Sequence, residues 1–166
     1  MGASLAEGGE AREQAYMAQR MTDPHLTDLG LAEAEQLAAF YAPIFEAANR
    51  RVRIFPSPLL RCCATAWPLA RLLGERAQVT VHPDVYENGG ACKAIQRADG
   101  KWEQDLLNPG PCMSAATIRE RFPGYETQML RQEGQWYTAG FETERQSAER
   151  GLRVARWVHS GETRAT

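Results

Sequence analysis

The chain has 166 residues, 43% of them hydrophobic, with 19 Lys and Arg against 21 Asp and Glu for a formal net charge of −2. That length suits one domain with a sizeable core, and the near-balanced charge argues against a nucleic-acid or anionic-membrane partner. No apolar run approaches the roughly 20 residues of a membrane helix, and Met1 to Gly9 lacks the basic-then-apolar order of a secretory leader, so a cytoplasmic protein is the expectation.

Residues 1–21 contain no Val, Ile, Phe or Thr and offer nothing like a central parallel strand. Glu10–Met21 is rich in helix formers but has a weak apolar stripe, so segment 1–22 is expected to be flexible or weakly helical. Order is easier to argue from Thr27, where Thr27 or Asp28 can cap a helix over Asp28–Tyr41 that Pro43 ends or bends. Val52–Phe55 is a compact strand candidate. Pro56 breaks it, Ser57 can cap the next helix, and Pro58 suits that helix's first position. The helix is expected over Leu59–Leu73, closed by Gly74.

Val79–His82 reads as a second short strand, stopped by Pro83. Asp84–Lys101 shows no stable period and reads as a functional or surface loop, opening a long substrate-side insertion over 88–140. Within it, Ser114 can cap a short helix over Ala115–Phe122 before the Pro123-Gly124 turn. Phe141–Val158 has helical spacing, and 159–166 is expected to be a flexible tail. Helices alternating with strands favour an α/β domain over 23–158 rather than a helical bundle, with too few strands for a broad sheet.

Arg61 falls in the first turns of a helix just beyond a strand, where its fork of donors can bind phosphoryl oxygens beside the positive end of the helix dipole. A solvated arginine whose stem covers the helix is the competing reading. Glu87 follows a strand and a proline turn in Val85-Tyr86-Glu87-Asn88-Gly89-Gly90. Its carboxyl can protonate a leaving alkoxide, and the glycines can admit backbone donors to an oxyanion; a solvated glutamate and a simple turn are the alternatives. No glycine-rich loop ends in Gly-Lys-Ser or Gly-Lys-Thr. Cys62, Cys63, Cys92 and Cys112 lack metal-knuckle spacing, and the three histidines, His25, His82 and His159, are dispersed. Neither a cofactor nor a metal is expected.

Three blocks change the weighting. Asp23-Pro24-His25-Leu26-Thr27-Asp28-Leu29-Gly30-Leu31, Ile54-Phe55-Pro56-Ser57-Pro58-Leu59-Leu60-Arg61-Cys62-Cys63-Ala64-Thr65-Ala66 and Val85-Tyr86-Glu87 stand in this order. Together they resemble successive landmarks of the histidine phosphatase, or phosphoglycerate-mutase-like, superfamily. The resemblance implies an α/β/α three-layer fold, here incomplete, and phosphomonoester hydrolysis or phosphoryl transfer through a phosphohistidine. It implies that Arg61 belongs to the phosphate pocket, that Glu87 is the proton donor, and that Asn88, Gly89 and Gly90 lie on the substrate side.

The family's Arg-His-Gly motif, which carries the attacking histidine, is absent, and His159-Ser160-Gly161 departs from its second motif, His-Gly. Weak or absent phosphatase activity is therefore expected of this chain, with a non-catalytic phosphate-binding or protein-interaction role as the alternative. The implied partners are a phosphorylated small molecule and either a second copy or another protein completing exposed strands.

Overall fold

Val52-Arg53-Ile54, flanked by proline on one side and a polar turn on the other, is the short β-branched run that starts the architecture. The computed structural model describes residues 3–160, and in it this run is strand β1, Val52–Ile54. β1 pairs in parallel with β2, Ala77–Val79, in the register Val52 to Ala77, Arg53 to Gln78 and Ile54 to Val79. The pairing begins two residues before the expected Val79. It continues past the strands, since Thr80 N donates to Ile54 O at 3.0 Å and His82 N to Pro56 O at 3.1 Å. Glu126 occupies the other edge of β2, donating to Val79 O and accepting from Val81 N. Among the described residues β1 has β2 as its one strand neighbour.

A parallel pair requires a crossover, and the helix between the strands supplies it. Before this comes α1, Ala3–Gln19, and then α2, Asp28–Ala47; the crossover helix is α3, Leu60–Leu73. Segment 1–22, expected to be flexible or weakly helical, is thus helical through α1, with residues 1 and 2 outside the described set. Gln14 anchors α1 by bonding both backbone groups of Trp102, at 3.0 and 2.5 Å. α2 is capped by Thr27, whose hydroxyl accepts from Gly30 N at 3.1 Å. It runs six residues beyond the expected Tyr41, with Pro43 accommodated inside the helix at an exposed position. Ala34, Ala38 and Ala42, four residues apart, form its buried stripe, and α2 packs on α3.

The expected Ser57 cap of α3 is corrected. The helix begins at Leu60 with Leu59 as its cap residue, and Leu59 has no side chain to accept a bond. Ser57 Oγ accepts from Leu59 N at 3.3 Å, and Asp23 accepts from Leu60 N at 2.8 Å from 37 residues away. A remote carboxylate therefore does the work that the local serine was expected to do.

The stretch expected to be irregular from Asp84 to Lys101 is corrected as well. It contains β3, Cys92–Gln96, which pairs antiparallel with β4, Trp102–Pro109. The Asp99-Gly100 turn closes the hairpin, with Gly100 at φ +83° and Arg97 N bonding Lys101 O at 2.8 Å. The hairpin has no clean apolar alternation because Lys93, Glu103, Leu106 and Leu107 are exposed. Ser114 caps α4, Ala115–Arg121, as its sequence suggests. α5, Glu144–His159, starts three residues after the expected Phe141, at a Thr143/Gln146 capping box. The expected tail at 159–166 is described only through His159 and Ser160; 161–166 lie outside the described residues.

The core joins Leu59 and Cys63 of the crossover to Val79, Val81, Ile118 and Tyr125. Trp67 stacks edge-on against Phe122 and Tyr125, and Tyr125 donates to Cys63 O at 3.1 Å. The architecture is mixed α/β, consistent with a phosphoglycerate-mutase-like fold, with the strand-to-helix turn at 55–61 facing the loop at 83–90.

Candidate functional site

β1 ends at a proline, so the chain turns at once into α3 and places Arg61 in that helix's first turn. β2 leads through His82 and Pro83 into the loop bearing Glu87. Because the strands are adjacent and parallel, both connections emerge on the same side of the sheet. The result is an ion pair, Arg61 Nη2 to Glu87 Oε1 at 2.8 Å, with side chains 25% and 53% exposed. The pair lines a cavity of about 260 Å³ together with Tyr16, Arg20, Thr22 and Pro24.

Arg20 was not singled out by the sequence reading. It sits just past α1, and its Nη1 donates to Cys92 O at 3.0 Å. The cavity thus has an arginine on each of two elements, one carboxylate, and the N-terminus of a 14-residue helix at its edge. Asp23 moderates that positive field. Its carboxyl is pushed up from the ordinary range by burial, against the Leu60 amide and the charges of Arg61 and His25, which favour the ionised form. A larger cavity of about 690 Å³ lies over β1 and β2, lined in part by Glu126. That carboxylate accepts from Thr80 at 2.7 Å and from Gln78 at 3.1 Å and is engaged in holding the strand.

The remaining residues expected on the substrate side do not converge on the pair. Asn88 is exposed, while Gly89 and Gly90 are buried at φ +93° and +70°. A Cβ on Gly89 would lie 2.6 Å from the Phe141 ring, and one on Gly90 would lie against the Tyr137 hydroxyl. These glycines admit aromatic side chains from the insertion, and neither lines the cavity of Arg61 and Glu87.

The histidines are also placed apart from the cavity. His82 is buried, stacks on Trp157 at 4.2 Å and accepts from Asp84 N through Nδ1 at 3.1 Å. Burial holds its pKa below the usual value, against the opposing charge of Asp84. His25 is exposed near Asp23, and His159 is exposed at the end of α5. Among the described residues no group of three or more His, Cys, Asp or Glu side chains could hold a metal ion, and no helix is long and apolar enough to cross a membrane. Cys62, Cys63, Cys92 and Cys112 are free thiols; burial pushes that of Cys112 up to about 11 and that of Cys63 higher still.

Adjacent parallel strands that deliver an arginine at a helix N-terminus and a carboxyl to one cavity define an α/β protein with its candidate site at the strand-to-helix turn. Sequence comparison makes the class specific: residues 8–108 match the histidine phosphatase superfamily (branch 1), and the chain belongs to that superfamily. Its fold is similar to that of the ecdysone phosphate phosphatase from Bombix mori, solved in complex with tungstate. The two share 20% identity with a TM-score of 0.50, over 86% of this chain and 49% of that one. The chain therefore spans about half the length of that structure. No curated protein matches it significantly.

Proposed function

We propose that this chain binds the phosphoryl group of a small phosphomonoester in the cavity between Arg61, Arg20 and Glu87, and turns it over weakly or not at all. The observation that carries this reading is the 2.8 Å pairing of Arg61 with Glu87 in a cavity that a second arginine also lines. Phosphoryl oxygens would compete with the Glu87 carboxylate for the Arg61 fork, and Arg20 adds a second positive group. In a phosphohistidine cycle the histidine attacks phosphorus, the P–O bond to the leaving group breaks, and a carboxyl in Glu87's place delivers its proton to the departing oxygen. His25, His82 and His159 all lie outside the cavity, and His82 is fixed by Asp84 and Trp157. The nucleophilic step therefore has no evident agent among the described residues.

Titration calorimetry with inorganic phosphate and a small aryl phosphate tests the reading. Binding by the wild type that weakens at least about tenfold in Arg61→Ala is expected. Equal binding by the two, or none by the wild type, overturns the phosphate site. Phosphate release that exceeds that of Glu87→Ala would overturn the inactive assignment.

A second reading, a module completed by another polypeptide, is favoured by one observation. A largely apolar groove of about 350 Å³, lined by Leu37, Ile54, Phe55 and Leu69, opens beside β1, whose one strand neighbour among the described residues is β2. A segment of a second chain would cover the groove. Sedimentation showing a monomer across a wide concentration range would count against a second copy in that role.

A further inference from the structure

Glu87 projects from a loop with little regular structure of its own. Between His82 and Gly90 the internal backbone bonds are Val85 N to His82 O at 3.2 Å and Gly90 N to Glu87 O at 3.3 Å. A side chain 53% exposed on such a loop keeps a 2.8 Å contact with Arg61 only if something else fixes its backbone.

α5 supplies that fixture. Arg150 is 5% exposed, and its guanidinium faces three carbonyls of the loop. Nη1 donates to Asp84 O at 2.9 Å and to Tyr86 O at 3.0 Å, and Nη2 reaches Glu87 O at 3.5 Å. Nε and Nη2 hold the two oxygens of Glu142 at 2.9 and 2.6 Å, while Ser147 Oγ lies 3.3 Å from Nη2. The guanidinium also lies 3.6 Å from the centre of the Tyr86 ring. All five donors of the planar fork have acceptors. Glu142 closes the arrangement, since its amide donates to Gly89 O at 3.2 Å and its carboxylate accepts from Tyr86 at 3.4 Å. The loop is thus held at Asp84, Tyr86, Glu87 and Gly89 by one buried ion pair.

We propose that Arg150, with Glu142, is the positioning residue for Glu87: α5 sets the reach of the carboxyl toward Arg61 through the backbone of residues 84–89. This rests on the reading of Arg61 and Glu87 as the phosphate site, but its structural half stands independently. Arg150 does not line the cavity, and it meets Glu87 at the backbone carbonyl, so it acts through the loop. A lysine retains the charge but not the fork, and three donors on one nitrogen cannot meet acceptors arrayed around a plane.

The test compares Arg150→Lys and Arg150→Met with Arg153→Met, whose parent arginine is exposed and pairs with Asp84 at 3.0 Å. Amide hydrogen exchange and calorimetry with inorganic phosphate are read on the full chain. In both Arg150 variants residues 84–90 should exchange at least about tenfold faster while β1, β2 and α3 keep their protection. Phosphate affinity should rise about tenfold in both, because a Glu87 no longer held at Arg61 competes less for its fork, with Arg153→Met unchanged. Unaltered exchange at 84–90 overturns the proposal, as does uniform loss of protection across the chain, which would make Arg150 a general structural residue. Full rescue by lysine overturns the role of the fork. If the wild type fails to bind phosphate, the phosphate-site reading falls by itself, and the exchange data still decide whether Arg150 fixes the loop.

Discussion

Asp23 illustrates how a single side chain can be worth more than its surroundings suggest. It caps α3 across 37 residues, with one oxygen bonded to Leu60 N and the other buried without a hydrogen-bond partner. Removing the acceptor in Asp23→Ala should cost about 1 kcal/mol, the usual effect of losing a helix cap. Asp23→Asn keeps an acceptor and removes a charge that burial disfavours, so it should cost less than half as much at neutral pH. Urea unfolding of the two variants checks this, and equal losses would mean that charge and not capping is what Asp23 contributes. Neither Asp23-Pro24 nor the helix start at Leu60 carries a local signature of the other. Ser57, the residue that local pattern selects, instead supports Leu59 one step earlier.

At the scale of elements, the docking of α5 ties together features far apart in the chain. Trp157 sits between Phe55, just past β1, and His82, three residues past β2, with ring centres at 4.9 and 4.2 Å. His82 accepts the Asp84 amide bond through Nδ1 and must be neutral to do so. Its folded-state pKa lies below the ordinary value of about 6.5. Below pH 6.5 the unfolded chain therefore binds this proton more readily than the folded one. This contribution to stability is present above about pH 6.5 and declines as pH falls toward the folded pKa. A pH series of urea midpoints should show that decline in the wild type and a smaller one in His82→Gln; identical slopes would remove His82 as the cause. The same element carries Arg150, so the helix that packs on His82 at one end fixes the Glu87 loop at the other.

For the whole molecule, the distribution of apolar surface is the informative quantity. α2 buries its alanine stripe while Leu37, Phe40, Tyr41 and Ile44 remain exposed, and the groove beside Leu37 runs to Ile54 and Phe55. Surface of this kind drives association. Phe40→Glu should lower concentration-dependent association in sedimentation velocity while shifting unfolding stability by no more than about 0.5 kcal/mol, as expected for an exposed position. Undiminished association would show that α2 is not the contact.

Family membership and the order of the helices and strands around the strand-to-helix turn were determined by the sequence, which also offers Arg61 and Glu87 as candidate site residues. These rest on contiguous motifs, on proline and glycine punctuation, and on short-range periodicity, all of which a linear chain displays directly. The hairpin was less legible because its strands bury few residues and lack clean alternation, although Asp99-Gly100 marks its turn. Tertiary structure alone decided that Asp23 caps α3, that Arg20 joins the cavity, that Gly89 and Gly90 make room for Phe141 and Tyr137, and that Arg150 grips the Glu87 loop. The bonds by which Asp23, Arg20 and Arg150 do so span 37, 72 and 64 residues. Each depends on how separate elements pack and on donors that must find acceptors once buried, and a pairing at such distance leaves no periodic trace in the chain.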